Sequence, residues 1–293
     1  MTITNQSSFQ GKPDGKGKLY LVATPIGNLE DMTYRAVRTL KECDIIAAED
    51  TRQTRKLLSH FEITPSQLYS YHEHNKAASG PELIRFIVEG KNLALVSDAG
   101  LPAISDPGAE LVQLAIEQGI AVIPVPGANA ALSALIASGL PTTSFTFAGF
   151  LPRERKDIRN VLAGLRQVQG SLLLYESPHR VEKTLVHLQE AFGNRRVVLA
   201  RELTKRYEEF VRGTIEECGV WLKEHPPLGE YVIVVEGESR AEAELAGAAW
   251  WQEMSIADHV NHYEAEGISR KEAMKKAAAD RNVPKRDIYN SLL

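Results

Sequence analysis

The sequence is poor in cysteine and has no long apolar run. Only Cys43 and Cys218 occur among 293 residues, too few for a disulfide framework, so a reducing compartment such as the cytoplasm is expected. No 18-residue apolar stretch is present, which leaves no candidate transmembrane helix, and the first residues contain no apolar signal segment. We therefore predict a cytoplasmic protein with no membrane partner.

Excess positive charge is also missing. The net charge is −4, which excludes a uniformly basic nucleic-acid-binding coat but leaves room for local basic patches. Hydrophobic residues make up 43% of the chain and charged residues 25%, the composition of a globular protein with a sizeable core.

Both common glycine-rich phosphate-binding signatures are absent. The first apolar run, 19–23, ends in "TPIGN", where neither G-x-G-x-x-G nor G-x-x-x-x-G-K-[ST] can be found. A strand, loop and helix at this place often bind an anionic cofactor, but phosphate binding is only weakly supported here.

Short β-rich runs alternate with longer helical patterns in the first half of the chain. We predict helices at 32–41, 51–61, 80–89 and 107–118, and a helix at 128–138 after the last strand. This alternation predicts a parallel sheet covered by helices. The predicted strands are 19–23, 44–48, 68–71, 92–97 and 120–125.

The pattern changes after residue 143. Predicted strands at 145–150, 171–176, 196–201, 207–212 and 230–236 accompany helices at 155–168, 178–191 and 214–224. The segment "RELTKRYEEFVRGT" reads as two strands joined by a turn, which indicates antiparallel pairing. We predict an α/β protein with two α/β domains, at 18–140 and 141–238. A flexible N-terminal tail, 1–17, precedes them, and a small helical appendage, 239–293, follows.

Unusual loops follow the predicted strands of the first sheet. They read "TPIGN", "AEDTR", "YHEHN", "SDAGLPAISDPG" and "PGANA". Parallel sheets bind ligands at the carboxyl ends of their strands. Turn formation alone explains any one of these loops, but five in succession favour a ligand with a polar, mostly non-phosphate surface. S-adenosylmethionine is such a ligand.

Several motifs together resemble the tetrapyrrole (corrin/porphyrin) methylase superfamily. They are "ATPIGNLEDMT", "AAEDTRQT", "YHEHN", "LVSDAGLPAISDPG", "YESPHR" and "RELTKRYEE", and the resemblance extends from about Lys18 to Leu293. More narrowly, they are similar to the branch that methylates the RNA of the small ribosomal subunit. Leu101 stands where Thr is common in that family, and Ala128-Asn129 also departs from the usual residues.

The resemblance implies the fold, the cofactor and the substrate. It implies that S-adenosylmethionine lies in a cleft between the two domains and that its methyl group goes to a ribose 2′-hydroxyl. The implied target is a cytidine in the decoding region of 16S rRNA, within the small ribosomal subunit, and the implied assembly is a homodimer. The cofactor-binding residues would be Pro25, Ser97, Asp98, Ala99, Gly100, Leu101, Ile104, Gly127, Ala128, Asn129, Tyr175, Glu176 and Leu203.

Substrate contacts are expected from the first loop, from Asn75 and from local basic residues. Thr24 and Asn28 offer hydrogen bonds, and Arg52, Arg55 and Lys205 offer positive charge. The C-terminal stretch after Ser269 contains seven basic residues against three acidic ones. It reads as a helix, a turn at 281–283 and a second helix with Pro284 at its first position, an arrangement suited to RNA docking. The basic residues expected to contact RNA are Lys275, Lys276, Lys285 and Arg286; packing as a plain helical cap is the alternative.

A ribose hydroxyl is a weak acid, so a general base would assist methyl transfer. Glu49, Asp50, His72 and His74 are the candidates, and the sequence does not rank them. Asp50 also suits the role of helix cap. The two histidines, placed on one face of a strand, are too few for a metal site, and no metal is expected. Two other functions remain open: methylation of a tetrapyrrole or another small molecule, and RNA binding without catalysis as an assembly factor.

Overall fold

The computed structural model describes residues 5–6, 15–238, 251 and 254–292. Five parallel strands form its first sheet, in the order β3-β2-β4-β1-β5. This confirms the predicted parallel sheet. The strands are β1 Lys18–Val22, β2 Ile45–Ala48, β3 Gln67–Ser70, β4 Leu93–Val96 and β5 Ala121–Val125.

Helices cover both faces of this sheet because its strands are apolar on both sides. Leu19, Ile45 and Leu93 pack in one core cluster with the buried residues of α3 and α4. Ile46 and Val96 pack in the other with residues of α1 and α2. The helices are α1 Tyr34–Glu42, α2 Thr51–His60, α3 Lys76–Val88, α4 Gly108–Glu117 and α5 Ala130–Ser138.

Helix α3 and strand β3 differ from their predicted bounds. α3 begins at Lys76, four residues before the predicted start, because the carbonyl of Asn75 already accepts bonds from Ala78 and Ser79, and Pro81 is tolerated inside the helix. β3 ends at Ser70. His72 and His74 therefore lie in a turn, and their predicted placement on one face of a strand is wrong.

The second sheet is mixed, with the order β6-β7-β10-β8-β9. β6 pairs with β7 in parallel, and the other pairs are antiparallel, which confirms the antiparallel pairing predicted for "RELTKRYEEFVRGT". Helix α5, which the predicted boundaries place in the N-terminal domain, packs on this sheet against Leu173, Ala200 and Val232. The elements are β6 Phe145–Phe150, β7 Ser171–Glu176, β8 Arg196–Arg201, β9 Glu209–Thr214 and β10 Tyr231–Glu236, with α6 Arg155–Leu165, α7 Val181–Phe192 and α8 Ile215–Glu224.

Both sheets belong to one compact unit, which spans 1–166 and 170–236; the rest of the chain forms a second unit. The predicted boundary near residue 140 thus lies between two sheets of one unit and stays a prediction. Of the predicted tail 1–17, residues 1–4 and 7–14 lie outside the described residues, whereas Gln6 bonds to both backbone groups of Val122. Most of the acidic, alanine-rich segment 236–253 also lies outside the described residues.

The second unit contains three helices in its described part, α9 Ile256–Ala265, α10 Arg270–Asp280 and α11 Lys285–Asn290. Val260, Ala273, Ala277 and Ile288 form its core. The sequence predicts the turn after α10 correctly, but Pro284 immediately precedes α11 as its N-cap and is not the first helical residue. No helix in the described ranges is both long and apolar enough to cross a membrane.

Candidate active site

A cavity of about 500 Å³ opens between the edges of the two sheets. From the first sheet, residues after the carboxyl ends of β2, β4 and β5 line it; from the second, the ends of β6, β7 and β8 and the start of β10 do so. Its volume falls in the range of small-molecule sites. The lining from the first sheet and α5 includes Ile26, Glu49, Ser97, Asp98, Ala99, Gly100, Leu101, Ile104, Ser105, Asp106, Asn129 and Ala130.

The side of the cavity formed by the first sheet and α5 is called the first wall, and the loop after β4 contributes most of its residues. The backbones of Thr24 and Gly100 exchange two hydrogen bonds of 2.9 and 3.1 Å, and the Thr24 hydroxyl donates to the Ser97 carbonyl at 3.1 Å. Gly100 has φ of 80°, a conformation that favours glycine, and an added Cβ would contact Ile26 at 3.4 Å. The first loop and the β4 loop are therefore held together as one surface.

The same loop continues with strained backbone. Ala103 and Ser105 have φ of 69° and 61°, and the Asp106 carboxylate stabilises the turn by accepting from the backbone of Ala103 and Gly108 at 2.7 and 2.8 Å. Glu202 and Thr204, after β8, share this left-handed conformation. Four of the six non-glycine residues with such φ values in the described ranges thus lie in two loops beside the cavity, where strain of this kind concentrates at functional sites.

Three carboxylates face the cavity from the first wall: Glu49, Asp98 and Asp106. Burial raises the pKa of Glu49, and the charges of Asp98 and Asp106 raise it further, while His72 acts in the opposite direction. Burial also raises the pKa of Asp106. The Oδ1 atom of Asp98 accepts from the backbone of Asp50 at 3.0 Å, which ties the ends of β2 and β4 together.

Asp50 caps a helix and does not line the cavity. Its carboxylate accepts from the backbone of Arg52 at 2.8 Å and binds the Arg52 guanidinium through two further bonds of 3.1 and 2.9 Å. The side-chain and backbone bonds from Arg52 lower the pKa of Asp50 to about 2. A carboxylate so engaged is a poor base at neutral pH, and the paired Arg52 offers less charge to RNA than its predicted role assumed.

The "YHEHN" turn is closed by its own asparagine. Asn75 accepts from the backbone of His72 at 2.8 Å and donates to the carbonyl of Ser70 at 3.0 Å, so the predicted substrate contact of Asn75 competes with a structural role. His72 and His74 meet edge to face, with ring centroids 5.9 Å apart. The Nδ1 atom of His72 is buried and has no hydrogen-bond partner among the described residues.

Aromatic and aliphatic side chains form the second wall. Phe150 and Tyr175 lie with ring centroids 5.5 Å apart, and Leu203 packs in the core below them. Burial raises the pKa of the Tyr175 hydroxyl. The lining from this side comprises Phe150, Tyr175, Glu176, Ser177, Pro178, Ala200, Glu202, Leu203, Lys205, Glu230, Tyr231 and Val232.

The carboxylate of Glu176 is turned into the protein. Its side chain is 1% exposed and lies 3.4 Å from Arg180. It accepts from Thr184 at 2.7 Å and from the backbone of Ser177 at 2.9 Å, and Arg180 in turn donates to the carbonyls of Leu151 and Pro152. Glu176 therefore holds the ends of β6 and β7 together, and its carboxylate is not solvated.

Lys205 is paired twice at the mouth of the cavity. Its ammonium group lies 2.9 Å from both Glu202 and Glu230. Burial alone would lower its pKa, but these two bonds raise it. A Cβ added at Gly27 would overlap the Lys205 side chain. The "TPIGN" loop and the loop after β8 thus meet here, and Lys205 has less charge to offer RNA than the sequence suggested.

Comparisons with known proteins agree with this architecture. The sequence model of the Tetrapyrrole (Corrin/Porphyrin) Methylases matches residues 18–219. The chain is 58% identical over 289 residues to the ribosomal RNA small subunit methyltransferase I of Halalkalibacterium halodurans, covering 98% of both chains. It is 53% identical to the protein of that name from Bacillus subtilis, covering 99% of this chain and 98% of the other.

The chain belongs to the tetrapyrrole methylase family. Within the family it belongs to the ribosomal RNA small subunit methyltransferase I branch, because these similarities extend over almost the whole chain. Two solved structures share the fold: a diphthine synthase, with a TM-score of 0.61 and 15% identity, and a cobalt-precorrin-4 methyltransferase, with 0.57 and 18%. They cover 76% and 75% of this chain, and this chain covers 91% and 94% of theirs.

Most of the cofactor-binding residues predicted for this tetrapyrrole methylase meet at the cavity. Pro25, Gly127 and Ala128 are not among its lining residues, although the Ala128 carbonyl lies within reach of a Cβ added at Gly100. The ten that line it are Ser97, Asp98, Ala99, Gly100, Leu101, Ile104, Asn129, Tyr175, Glu176 and Leu203.

The predicted substrate-binding residues are more scattered. Thr24 is 2% exposed and bonded within the protein, and Asn28 caps a short 3-10 turn by accepting from Glu30. Arg55 lies on a separate shallow concavity beside Leu58 and Ile63. The stretch after Ser269 is called the C-terminal arm, and its four predicted RNA-binding residues, Lys275, Lys276, Lys285 and Arg286, belong to the second unit. There Lys276 lies over the ring of Tyr263, and Lys275 pairs loosely with Glu272.

Sequence reasoning missed several lining residues of the second wall, among them Phe150, Glu202, Glu230 and Val232. The rule that ligands bind at carboxyl ends of strands would have found Phe150, the last residue of β6. Val232 stands at the start of β10, whose antiparallel pairing with β7 brings that start to the cavity. Its position follows only from the strand direction. Asp106 was missed although it lies within "SDAGLPAISDPG", one of the loops that indicate the ligand.

Proposed function

We propose that this chain transfers the methyl group of S-adenosylmethionine to the ribose 2′-hydroxyl of a cytidine in the decoding region of 16S rRNA, within the small ribosomal subunit. The observation that carries the proposal is the cavity, with an acidic wall and an apolar wall, in a chain that matches full-length small subunit methyltransferases. The cytoplasm is the expected location.

The residues at the cavity fit S-adenosylmethionine. Asp98 presents a carboxylate that suits its ammonium group, and the β4 loop brings backbone close to the cavity at Gly100, where only 3.4 Å separates an added Cβ from Ile26. Phe150, Tyr175 and Leu203 form an apolar surface suited to adenine. When bound, S-adenosylmethionine supplies a methyl group that its positive sulfonium already activates.

The chain's own contribution begins with placement. The bonded pair of loops at Thr24 and Gly100 presents a rigid surface, and the Glu176–Arg180 contacts hold the aromatic wall opposite. Two fixed walls restrict the orientation of both reactants, and such restriction accounts for a large part of rate enhancement in transfer reactions. The apolar wall also limits access of water to the reacting groups.

RNA binding is assigned to exposed basic residues outside the cavity. Arg55 is exposed on α2, and Lys275 and Arg286 are exposed on the C-terminal helices. Arg281 is excluded from this surface because its guanidinium donates to the carbonyls of Trp251, Met254 and Ser255. Arg270 is also engaged, by Glu264 at 3.0 Å, so phosphate contacts are assigned to Lys275, Lys276, Lys285 and Arg286.

Charge removal in the arm tests this assignment. With Lys275, Lys276, Lys285 and Arg286 changed to Ala, small-subunit binding should weaken and its log–log salt slope should fall by about 0.7–0.9 per lost contact. Cofactor affinity should stay at the wild-type value. An unchanged salt slope would make the arm a structural cap.

Homodimer formation is the proposed assembly. Helix α5 is apolar on nearly every side, and Leu132 and Ile136, one turn apart, are 43% and 78% exposed. Exposed apolar side chains grouped on a helix are typical of protein interfaces. The second copy of this chain is the proposed occupant. Light scattering of Ile136→Glu should report a monomer; retained dimers would place the interface elsewhere.

Ribose-methylation mapping is the decisive test of the function. Small subunits incubated with the chain and S-adenosylmethionine should acquire one 2′-O-methyl cytidine in the decoding region of 16S rRNA. Methyl transfer to a tetrapyrrole precursor instead would favour the small-molecule alternative. Absence of S-adenosylmethionine binding by calorimetry would favour an assembly factor without catalysis.

A further inference from the structure

Glu49 occupies a fixed place between two neighbouring strand ends. The order β3-β2-β4 puts the residue after β2 between the residues after β3 and β4. On one side the Tyr71 backbone donates to the Ala48 carbonyl at 2.8 Å; on the other, the Asp50 backbone donates to Asp98 at 3.0 Å. The backbone on both sides of Glu49 is thereby held, while its side chain opens into the cavity.

The other carboxylates near Glu49 are already engaged. Asp50 binds Arg52 with both oxygens, Asp98 accepts from the Asp50 backbone, and Asp106 accepts two backbone bonds. Within the described part of the chain, no hydrogen bond or ion pair engages the Glu49 carboxylate, although it senses the charges of all three and of His72. It is thus the one of these four carboxylates with both oxygens unengaged by the described residues.

We infer that Glu49 accepts the proton of the reacting ribose hydroxyl. This inference rests on the proposed function. As the 2′-oxygen forms its bond to the methyl carbon, the carbon–sulfur bond breaks, its electron pair stays on sulfur, and the hydroxyl proton passes to Glu49. The sulfonium charge is lost and one proton is gained by the carboxylate, so the charge balances.

The surroundings of Glu49 suit this role. Burial, Asp98 and Asp106 raise its pKa above the usual range for a glutamate, and His72 opposes them. A base works best when its pKa approaches the working pH. The His72 backbone donates to Asn75, and the buried Nδ1 atom of His72 has no partner in the part of the chain that the structure describes.

Paired glutamate variants test the base. Glu49→Gln should lower turnover about 10²–10⁴-fold, with S-adenosylmethionine affinity by calorimetry and the melting temperature unchanged. Glu49→Asp should recover part of the rate. Glu73→Gln, an exposed glutamate on the same turn as His72, is the matched control and should keep wild-type turnover. Wild-type turnover in Glu49→Gln would overturn the inference.

A titration without the cofactor tests the electrostatic surroundings of Glu49. The carboxyl carbon of Glu49, observed by NMR in the full chain, should titrate at higher pH in His72→Gln, because the interaction with His72 that lowers the Glu49 pKa is lost. It should titrate at lower pH in Asp106→Asn, which keeps the oxygen that accepts the two backbone bonds. The acidic limb of the pH–rate profile should move in the same two directions. A Glu49 pKa unmoved by either variant would contradict the electrostatic tuning of this carboxylate by its neighbours.

Failure of this inference can be separated from failure of the proposed function. If wild-type protein places no methyl group on 16S ribose, the function itself falls. If wild-type protein does so and Glu49→Gln does so equally fast across the pH range, the function stands and transfer proceeds by placement without this base.

Discussion

The two walls of the cavity differ in the side chains that they present to a ligand. The first wall presents Glu49, Asp98 and Asp106 on loops that follow parallel strands. The second presents Phe150, Tyr175 and Leu203, and its one glutamate at a strand end, Glu176, is 2% exposed. Glu202, Lys205 and Glu230 also line the second wall, but they pair with one another, so the charges of that wall are neutralised by ion pairs.

The contrast shows that the same residue type does different work at equivalent places. Both Glu49 and Glu176 stand at the carboxyl end of a strand. Glu49 has no bonded partner in the described ranges and faces the cavity, whereas Glu176 is bound by Thr184, Ser177 and Arg180. Partners decide the role: an engaged carboxylate stabilises the wall, and an unengaged one is available to a ligand.

The largest expected effect is on the stability of the second wall. Arg180→Ala leaves the Glu176 charge buried and removes the donor to the carbonyls of Leu151 and Pro152. Because Arg180 is itself 32% exposed, the loss should be that of a hydrogen bond to a charged group, about 1.5–3 kcal/mol, below the cost of breaking a fully buried ion pair. Urea unfolding should show a loss of that size in the free energy of unfolding.

Arg155→Ala is the matched control for that variant. Arg155 pairs with Glu190 at 3.2 Å, but both side chains are largely exposed, 62% and 44%, and exposed pairs contribute under about 1 kcal/mol. Equal losses in the two variants would mean that Glu176 is not a structural residue, and the contrast between the walls would fail.

The next effect concerns the charge on the first wall. Asp98→Ala should weaken S-adenosylmethionine binding by roughly 1–3 kcal/mol, the usual loss for a hydrogen bond to a charged group. Asp98→Asn separates two explanations, because an amide oxygen can still accept from the Asp50 backbone. Calorimetry should find both variants weakened. Full affinity in Asp98→Asn would show that Asp98 acts only by tying β2 to β4.

Much of the first wall was predictable because its residues lie in loops that directly follow recognisable strands in the sequence. Parallel strands that are apolar on both faces are easily recognised, and the loops after them must lie at one edge of the sheet. The amino-acid sequence alone therefore suffices to place Ser97 to Leu101 at this edge of the sheet, where they line the cavity. It does not show which carboxylate is engaged, since the bond from Asp50 to Asp98 joins residues 48 positions apart.

The second wall was harder because its sheet is mixed. Tyr175 and Leu203 were expected at the cavity on family resemblance, but Val232 reaches it only through the reversed direction of β10. Glu176 shows the same limit, because its partners Arg180 and Thr184 lie four and eight residues further along the chain, at the start of the next helix. Helix periodicity predicted that helix but not which of its side chains would turn back to the strand.

The smallest expected effect tests whether the aromatic character of the second wall matters. Tyr175→Leu keeps an apolar side chain but removes the ring that lies against Phe147 and Phe150 at 5.0 and 5.5 Å. Aromatic contacts contribute about 0.5–1.5 kcal/mol beyond the area they bury, so the Kd for S-adenosylmethionine should rise roughly two- to tenfold.

Tyr207→Leu controls for the loss of a tyrosine as such. Tyr207 is 66% exposed and lies outside the cavity lining, so its replacement should leave the Kd unchanged. If Tyr175→Leu binds as tightly as Tyr207→Leu, the second wall acts by apolar area alone. Specificity for the adenine ring would then reside in the first wall, and the separate roles assigned to the two walls would be wrong.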